Sequence, residues 1–472
     1  MTDPSFAPPP NPPAAGLPNG PAAGVRLHPL TPFARGWAAM VGATVVLGQE
    51  AVREADVPQI LLILLGVVLA GVLAGVWSWW FTRYVIDGDD MRVDTGLLFR
   101  RTRHLRLSRL QAVDVVQPLV ARILGLAELR LEVAGGSGAE GRLAYLSEEK
   151  AAALRAELLA RAAGVSPDAP TAPEDLLVRV PVGAVITSLL LSIWVPLVLV
   201  GTVALVAIAV VLREPAVIFP AAPVLLAFGT VAWRELEAAF DFTVAESPDG
   251  LRLRHGLLAR RSQTVPPGRV QALRIVTPYL WRHRDWVRVQ INVAGYAGGG
   301  EAAQQQTSIL LPVAPRATAL AVIGRILPGV DPGAVPLHPA PRRAGRARPI
   351  WWRGLAWGAD EHVFVATKGL LRRRLDVVPH GKTQSVRLTQ GPWQRRLGLA
   401  TVRLDTTPGP VRVEVPHRAV AEARELTETQ AARARAGRRG AGPERWMVRS
   451  RPDDSSGTPG GRADAERNTP HG

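Results

Sequence analysis

Gly96-Leu97-Leu98-Phe99-Arg100-Arg101, Gly256-Leu257-Leu258-Ala259-Arg260-Arg261 and Gly369-Leu370-Leu371-Arg372-Arg373-Arg374 are three spellings of one phrase. Ten residues after the last Arg of each stands a Gln (Gln111, Gln271, Gln384), and eleven further on an Arg (Arg122, Arg282, Arg395). Three ungapped matches at one spacing mark a module present in triplicate.

The residues around the phrase give the module its class. LAELRLEV from Leu126, WVRVQINV from Trp286 and LATVRLDT from Leu399 alternate as half-buried strands do. Upstream, YVIDGDDMRVDTG (84–96) reads strand, Gly-Asp turn, strand, Gly, and FTVAESPDGLRLRHG (242–256) repeats it with Asp249-Gly250 in the turn. HVFVATKG (362–369) is a shortened version. Each copy closes on a helical stretch, at 147–163, 316–327 and 418 to about 434. In the first, Ser147 is placed to cap and Glu148 and Glu149 fill the first turn. The expected module is a small antiparallel sheet or barrel with one C-terminal helix.

Apolar residues make up 47% of 472 and the mean hydropathy is +0.11, high for a chain this rich in Arg. The excess is concentrated in two regions. Ile60–Trp80 is uncharged, long enough to span a bilayer, and ends on Trp77, Trp79 and Trp80. Trp37–Val52 is weaker, interrupted by Gln49 and Glu50. Such a stretch can be a buried or interfacial helix, but its position beside a strong span favours a hairpin over 33–80. Val180–Leu212 and Ala216–Trp233, separated by Arg213-Glu214-Pro215, suggest a second hairpin over 180–234, with Pro220 and Pro223 distorting its return leg. The loop 49–58 carries one Arg against three acids. Arg83, Arg92, Arg100, Arg101, Arg103 and Arg106 follow the first hairpin. The positive-inside rule then places both short loops outside, and the modules and both termini in the cytoplasm of a multi-pass plasma-membrane protein.

The remaining divisions follow from composition. Residues 1–25 form a Pro-rich arm without the apolar core of a signal peptide, and 431–472 a polar tail, both expected to be disordered. Modules are expected over 82–164, 241–328 and 359–430, with a basic, aromatic linker at 329–358. Ile350, Trp351, Trp352 and Trp357 in that linker fit contact with a membrane interface or another copy as well as burial in the third module's own core.

Chemistry-bearing patterns are scarce. Cysteine is absent, and the nine His residues form no His-x-x-x-His or His-Glu-x-x-His pair. GGSG (135–138) and GYAGGGEAA (295–303) lack the Lys-Ser/Thr of a phosphate loop and read as hairpin connections. No catalytic residue, metal ligand or cofactor is expected. The net charge of +16 is spread over membrane flanks and strands without a recognition motif, which argues against nucleic acid. Arg100, Arg101, Arg260, Arg261, Arg373 and Arg374 are the candidate contacts for anionic lipid headgroups or a protein partner, since guanidinium forks match phosphate geometry. The alternative is a solvated strand face. The Gln markers read as structural.

The strand pair ending in Gly-Leu-Leu-x-Arg-Arg, the Gln, and the Gly-Leu before a late strand resemble the bacterial pleckstrin-homology-like (bPH2) domain, formerly a domain of unknown function. Hairpins alternating with such domains after Arg26-Leu27-His28-Pro29-Leu30 resemble the YdbT-like bacterial membrane proteins. The likeness covers about 26–430. Copy two departs at Asp285, where the others have Gly125 and Gly398, and copy three lacks part of its first strand pair. The resemblance implies an α+β membrane protein with two transmembrane hairpins and three modules, each a bent barrel with a C-terminal helix. It associates the family with envelope stress or antimicrobial resistance. The expected function is a non-enzymatic membrane scaffold that contacts lipid, a membrane-protein partner or itself. The alternative is an accessory subunit of a transport or efflux system.

Overall fold

The computed structural model describes residues 25–26, 83–87, 90–95, 101–106, 110–133, 141–162, 174–214, 221–247, 250–294 and 308–440, with isolated helical positions at 58, 65, 66 and 69. The chain divides into two compact units, Met1–Leu107 and Ser108–Gly472.

The first unit holds one antiparallel sheet in chain order: β1 (Val25–Arg26), β2 (Arg83–Asp87), β3 (Asp90–Thr95) and β4 (Arg101–Arg106). Val25, expected at the end of the disordered arm, pairs instead with Tyr84. Short as β1 is, its pairing with β2 satisfies backbone groups that a free arm would leave to water. Apart from those isolated positions, the hairpin expected at 33–80 lies outside the described residues.

The second unit begins with the rest of copy one: β5 (Leu110–Pro118), α1 (Leu119–Ile123), β6 (Leu126–Val133), β7 (Gly141–Ser147) and α2 (Glu148–Ala162). Copy two follows as β8 (Asp175–Arg179), α3 (Val182–Leu190), α4 (Trp194–Leu212), α5 (Ala221–Ala239), β9 (Thr243–Ser247), β10 (Gly250–His255), β11 (Ala259–Val265), β12 (Val270–Pro278), β13 (Trp286–Val293), β14 (Ile309–Pro315) and α6 (Arg316–Ile326). Copy three comprises β15 (His338–Pro339), α7 (Ala344–Ala347), β16 (Ala356–Ala359), β17 (Val363–Lys368), β18 (Arg372–Pro379), β19 (Ser385–Thr389), α8 (Pro392–Arg396), β20 (Leu399–Asp405), β21 (Val413–Ala419) and α9 (Val420–Gly440).

These strands form two seven-stranded sheets, β7-β6-β5-β11-β10-β9-β8 and β14-β13-β12-β18-β17-β16-β15, and a three-stranded sheet β19-β20-β21. Each large sheet joins the last three strands of one copy to the first four of the next. The core of copy two lies between its own two half-sheets. Phe242, Val244 and Leu253 from one meet Leu273, Ile291, Leu310 and Leu311 from the other, and Ile323 of α6 closes the end. Burying each such side chain contributes about 1.5–3 kcal/mol. A second core in copy three gathers Phe364, Val378, Val402, Val413 and Leu426.

Several expected boundaries move. The second hairpin region does not precede its module. It is inserted after the module's first strand, because β8 pairs with β9 (Arg179 with Thr243) across the whole of α3–α5. Module two therefore begins at 175 rather than 241. The linker expected at 329–358 supplies β15, α7 and β16 of module three, and β16 with β17 restores the strand pair that appeared shortened. Trp357 stacks on Phe364 at 5.8 Å and donates to Glu422 at 2.9 Å, and Trp352 packs beside Leu355 and Leu399. Of the four linker aromatics and aliphatics, Ile350 and Trp351 stay exposed. The tail expected from 431 is helical to Gly440, since Ala and Arg are strong helix formers and Gln430 and Ala434 are buried on module three.

Among the described residues one helix, α4, is long and apolar enough to cross a membrane, with a mean hydropathy of 2.9 over its span and almost nothing buried. α3 is not a continuation of it. The run breaks at Ser192, and Val185 and Ser188 of α3 are buried against module two. α5 carries apolar residues to Trp233 and then Arg234, Glu235 and Glu237, so it fails as an uncharged span, and the two full hairpins expected are not established.

Candidate functional site

The repeated phrase has a local physical reason at each marked position. Gly256 and Gly369 sit at φ +117° and +87°. A Cβ there would lie 2.1 Å from the Ala259 carbonyl oxygen and 2.4 Å from that of Arg372. Only glycine fits so tight a turn. The register of β5 on β6 skips between Leu110 and Ala112, and that of β12 on β13 between Val270 and Ala272. Gln111 and Gln271 are thus the extra residues of two β-bulges. Gln384 stands just before β19, with its N–H donating to the Asp405 carbonyl at 2.8 Å. Gly96 lies outside the described residues.

The departure at Asp285 changes a residue and keeps its geometry. Gly125, Asp285 and Gly398 adopt φ of +66°, +50° and +63°. Their carbonyls accept the first N–H of the closing helices, from Glu148 at 3.1 Å, Arg316 at 2.9 Å and Val420 at 3.3 Å. Asp is among the few residues that tolerate this region, and its carboxylate is 3.3 Å from Arg316 Nε.

The GLLxRR strands are where modules join. β11 pairs with β5 and β18 with β12, in the same register. Pro118, seven residues after Gln111, faces Ala259, three after Gly256. Pro278, seven after Gln271, faces Arg372, three after Gly369. At the first junction the Arg155 guanidinium bonds the Thr264 hydroxyl. At the second, Arg274 forms a two-pronged pair with fully buried Asp376, directly opposite in register (Nη2–Oδ2 3.0 Å), and donates to the Pro410 and Arg412 carbonyls at 2.8 and 3.2 Å. The marker Arg282 donates to the Leu370 carbonyl inside the next copy's phrase. Asn292 of β13 clasps a loop of module three, accepting from Val411 N–H at 2.9 Å and donating to its carbonyl at 2.8 Å.

This placement divides the six candidate arginines. Arg101 lies in β4; its side chain and all of Arg100 are outside the described residues. Arg260 and Arg373 are exposed, and Arg260 reaches Asp241 at 3.4 Å. Arg261 and Arg374 are half-buried along the junctions. Desolvation, then the charge of Arg130, pulls the Arg261 guanidinium below its ordinary pKa, opposed by Glu237, Asp114 and Glu128. The Arg markers Arg122, Arg282 and Arg395 are all exposed.

A cleft that no sequence pattern announced lies at the foot of α4. It has a volume of about 680 Å³, including its open mouth, and is lined by Trp194, Tyr279, Trp281, Arg288, Leu371 and Arg372 among others. Trp281 is buried and donates to the Ser188 carbonyl of α3 at 3.1 Å, tying the cleft wall to the helical insert. Arg288 lies over the Trp281 ring at 5.7 Å and faces Glu235 at 3.4 Å. Burial, then the neighbouring Arg288 and Arg374, pushes the Arg372 guanidinium below its ordinary pKa, against the pull of Glu235. Positive charge here exceeds its counter-charge, in a cleft edged by the first Trp of an apolar helix. Arg372 belongs to the repeated phrase but is unique to copy three, so the repeat hid it.

A family model for the Bacterial PH domain matches residues 38–162, 182–330 and 334–434. Its second and third matches include the helical insert and the former linker, in keeping with the observed modules. The chain is also similar to the UPF0699 transmembrane protein YdbT of Bacillus subtilis (strain 168), 31% identical over 97 residues. That match covers 19% of this chain and 20% of the relative, so the chain spans about a fifth of the curated relative it matches. No solved structure gives a significant match. With three matches covering most of its length, the chain belongs to the bacterial PH domain family.

Proposed function

We propose that this protein is a non-enzymatic, membrane-anchored scaffold of the bacterial plasma membrane, with its modules and both termini on the cytoplasmic side. The observation that carries the reading is α4. It is an almost wholly exposed apolar helix that rises from between the first and second strands of a module locked to its neighbours by shared sheets. A body held rigidly beneath the bilayer by inserted helices suits presentation of a surface better than turnover of a substrate. The similarity to a protein named as transmembrane supports membrane association.

The cleft at the foot of α4 adds a contact with anionic headgroups. Arg288 and Arg372 would meet the phosphate while Trp194 and Tyr279 sit at the interface, each Arg being worth on the order of 1 kcal/mol near an anionic surface. Because modules share sheets, the full chain is the proper test object. Reporters inserted in frame after residues 165 and 330 of the full chain, and fused to its end, are expected to report cytoplasm at all three, and a periplasmic signal from any of them refutes the orientation. Purified chain reconstituted with phosphatidylglycerol is expected to retain more of that lipid than phosphatidylcholine. Arg288→Ala with Arg372→Ala should abolish the preference, and an unchanged preference removes the cleft from the reading.

A further inference from the structure

The helical segment between β8 and β9 and the basic segment between β15 and β16 hold the same place in their modules. Arg179, the last residue of β8, faces Thr243, and Thr243 faces Arg254, two residues before the turn glycine Gly256. Pro339, the last residue of β15, faces Ala356, and Ala356 faces Thr367, two residues before Gly369. Residues 180–242 and 340–355 thus leave and re-enter their sheets at one register point. Each also rests on the turn of its own phrase. In module two the Gly256 N–H donates to the Phe240 carbonyl at 2.9 Å. In module three a Cβ on Gly354 would lie 2.7 Å from the Gly369 carbonyl oxygen. The first segment holds α4, whereas the second is too short and too charged to cross a bilayer.

What the second segment carries suits a bilayer surface. Arg342, Arg343, Arg346, Arg348 and Arg353 are all exposed, and no Asp or Glu occurs from 332 to 359. None of the five has an ion-pair partner among the described residues. Between them Ile350 is 68% exposed and Trp351 42%, although their neighbours Trp352 and Leu355 turn inward beside Leu399. Position in the fold says what covers these two. The single helical turn Trp351–Gly354 abuts Gly369 and Leu370, and the next residue, Leu371, is exposed and lines the cleft under Trp194, the first residue of α4. Glu235, near the end of α5, lines the same cleft, so both α4 and α5 reach that level. We infer that residues 342–353 lie in the headgroup layer of an anionic membrane, at the level where α4 enters it. Ile350 and Trp351 sit below the phosphates there and the arginines extend to them, as Trp and Arg do at such interfaces. Module three thereby holds the bilayer without a crossing helix, beside the hold of module two.

The inference rests on the scaffold reading for the insertion of α4, and one experiment reads the two separately. The chain has no cysteine. Ile350→Cys, Val203→Cys in α4, and Glu361→Cys, exposed at the end of β17 away from the turn, each take one polarity-sensitive fluorophore. The full chain is then reconstituted in phosphatidylglycerol–phosphatidylcholine vesicles that contain a lipid with a nitroxide near its headgroup. Emission at 350 is expected to shift to the blue and to be quenched, while that at 361 stays water-like and unquenched. Each arginine near an anionic surface is worth about fivefold in binding, so Arg346→Gln with Arg353→Gln should weaken docking of the segment about twenty-five-fold and release the 350 label. Phosphatidylcholine alone should do the same. Quenching at 350 that ignores both changes overturns the anionic surface as the occupant. A blue shift without quenching overturns it too, because a second copy then covers the site. A label at 350 in water while that at 203 reports lipid refutes this inference and leaves the scaffold standing. If 203 also reports water, α4 is not inserted and both readings fall.

Discussion

Asp376→Ala is the substitution with the best-defined consequence. The side chain is fully buried and holds Arg274 through two charge-assisted hydrogen bonds across the β12–β18 ladder. Removing it leaves a buried guanidinium with only the Pro410 and Arg412 carbonyls. Breaking one side of such a pair costs about 3–5 kcal/mol, because the surviving charge stays desolvated. If opening of the second junction sets amide exchange in 270–278 and 372–379, that penalty corresponds to an exchange increase of roughly a hundredfold to several thousandfold. Asp376→Asn keeps one acceptor and should fall between. Arg274→Leu with Asp376→Leu removes both charges and should recover most of the loss, though the two carbonyls lose their donor. Hydrogen exchange with mass readout on the full chain in detergent tests all three. A change under about 1 kcal/mol for Asp376→Ala, or a double variant worse than the single, would refute the claim that this pair holds the junction.

Other consequences can be checked on the same preparation. His255 is buried against Phe242, and desolvation, aided by the Arg261 charge, lowers its pKa from 6.5 to about 4. The unfolded chain therefore binds more protons between those values. Stability should be constant above pH 6.5 and fall by about 3 kcal/mol as pH drops towards 4, a slope that His255→Phe should flatten in denaturant titrations. Gly369→Ala forces a Cβ onto the Arg372 carbonyl at a φ of +87°, and should destabilise module three by at least 1–3 kcal/mol in thermal melts. Asn292→Ala leaves the Val411 N–H and carbonyl without their clasp and should cost about 2 kcal/mol or more, seen as faster exchange in 406–412. Glu214→Cys in intact cells is expected to react with an impermeant maleimide while Glu174→Cys does not; equal reaction of both contradicts a crossing by α4.

The triplicate phrase was legible because tight turns and bulges demand particular residues. Gly256 and Gly369 cannot carry a Cβ, and Gln111 and Gln271 each occupy a bulge, so spacing alone revealed the modules. What spacing could not reveal was pairing between copies. A strand such as β11 reads the same whether it closes its own barrel or joins a neighbour, because register on a distant strand leaves no local trace. The buried Arg274–Asp376 pair was invisible for the same reason, its members lying 102 residues apart. The first strands of modules two and three were missed because helical segments separate them from the rest. One signal was available: Leu27-His28-Pro29 before copy one is echoed by Leu337-His338-Pro339 before copy three; β15 falls on the second of these and β1 ends just before the first.

That insertion constrains the membrane topology more tightly than charge counting does. Arg179 at the end of β8 faces Thr243 at the start of β9, so the two ends of the α3–α5 segment are held about 5 Å apart. Ends this close lie on one side of any bilayer. A segment between them can cross an even number of times or not at all, and a single crossing is geometrically forbidden. Crossing by α4 therefore obliges a return somewhere within residues 213–242. The apolar stretch that ends at Trp233 is the available material, even though α5 alone carries too many charges to pass as a span. Copy three obeys the same closure with no crossing: His338 faces Trp357, and the short helices between them replace the insert. Were α4 to cross a bilayer, the strands on either side of the insert would stay on one side of it, as the sheets they share require.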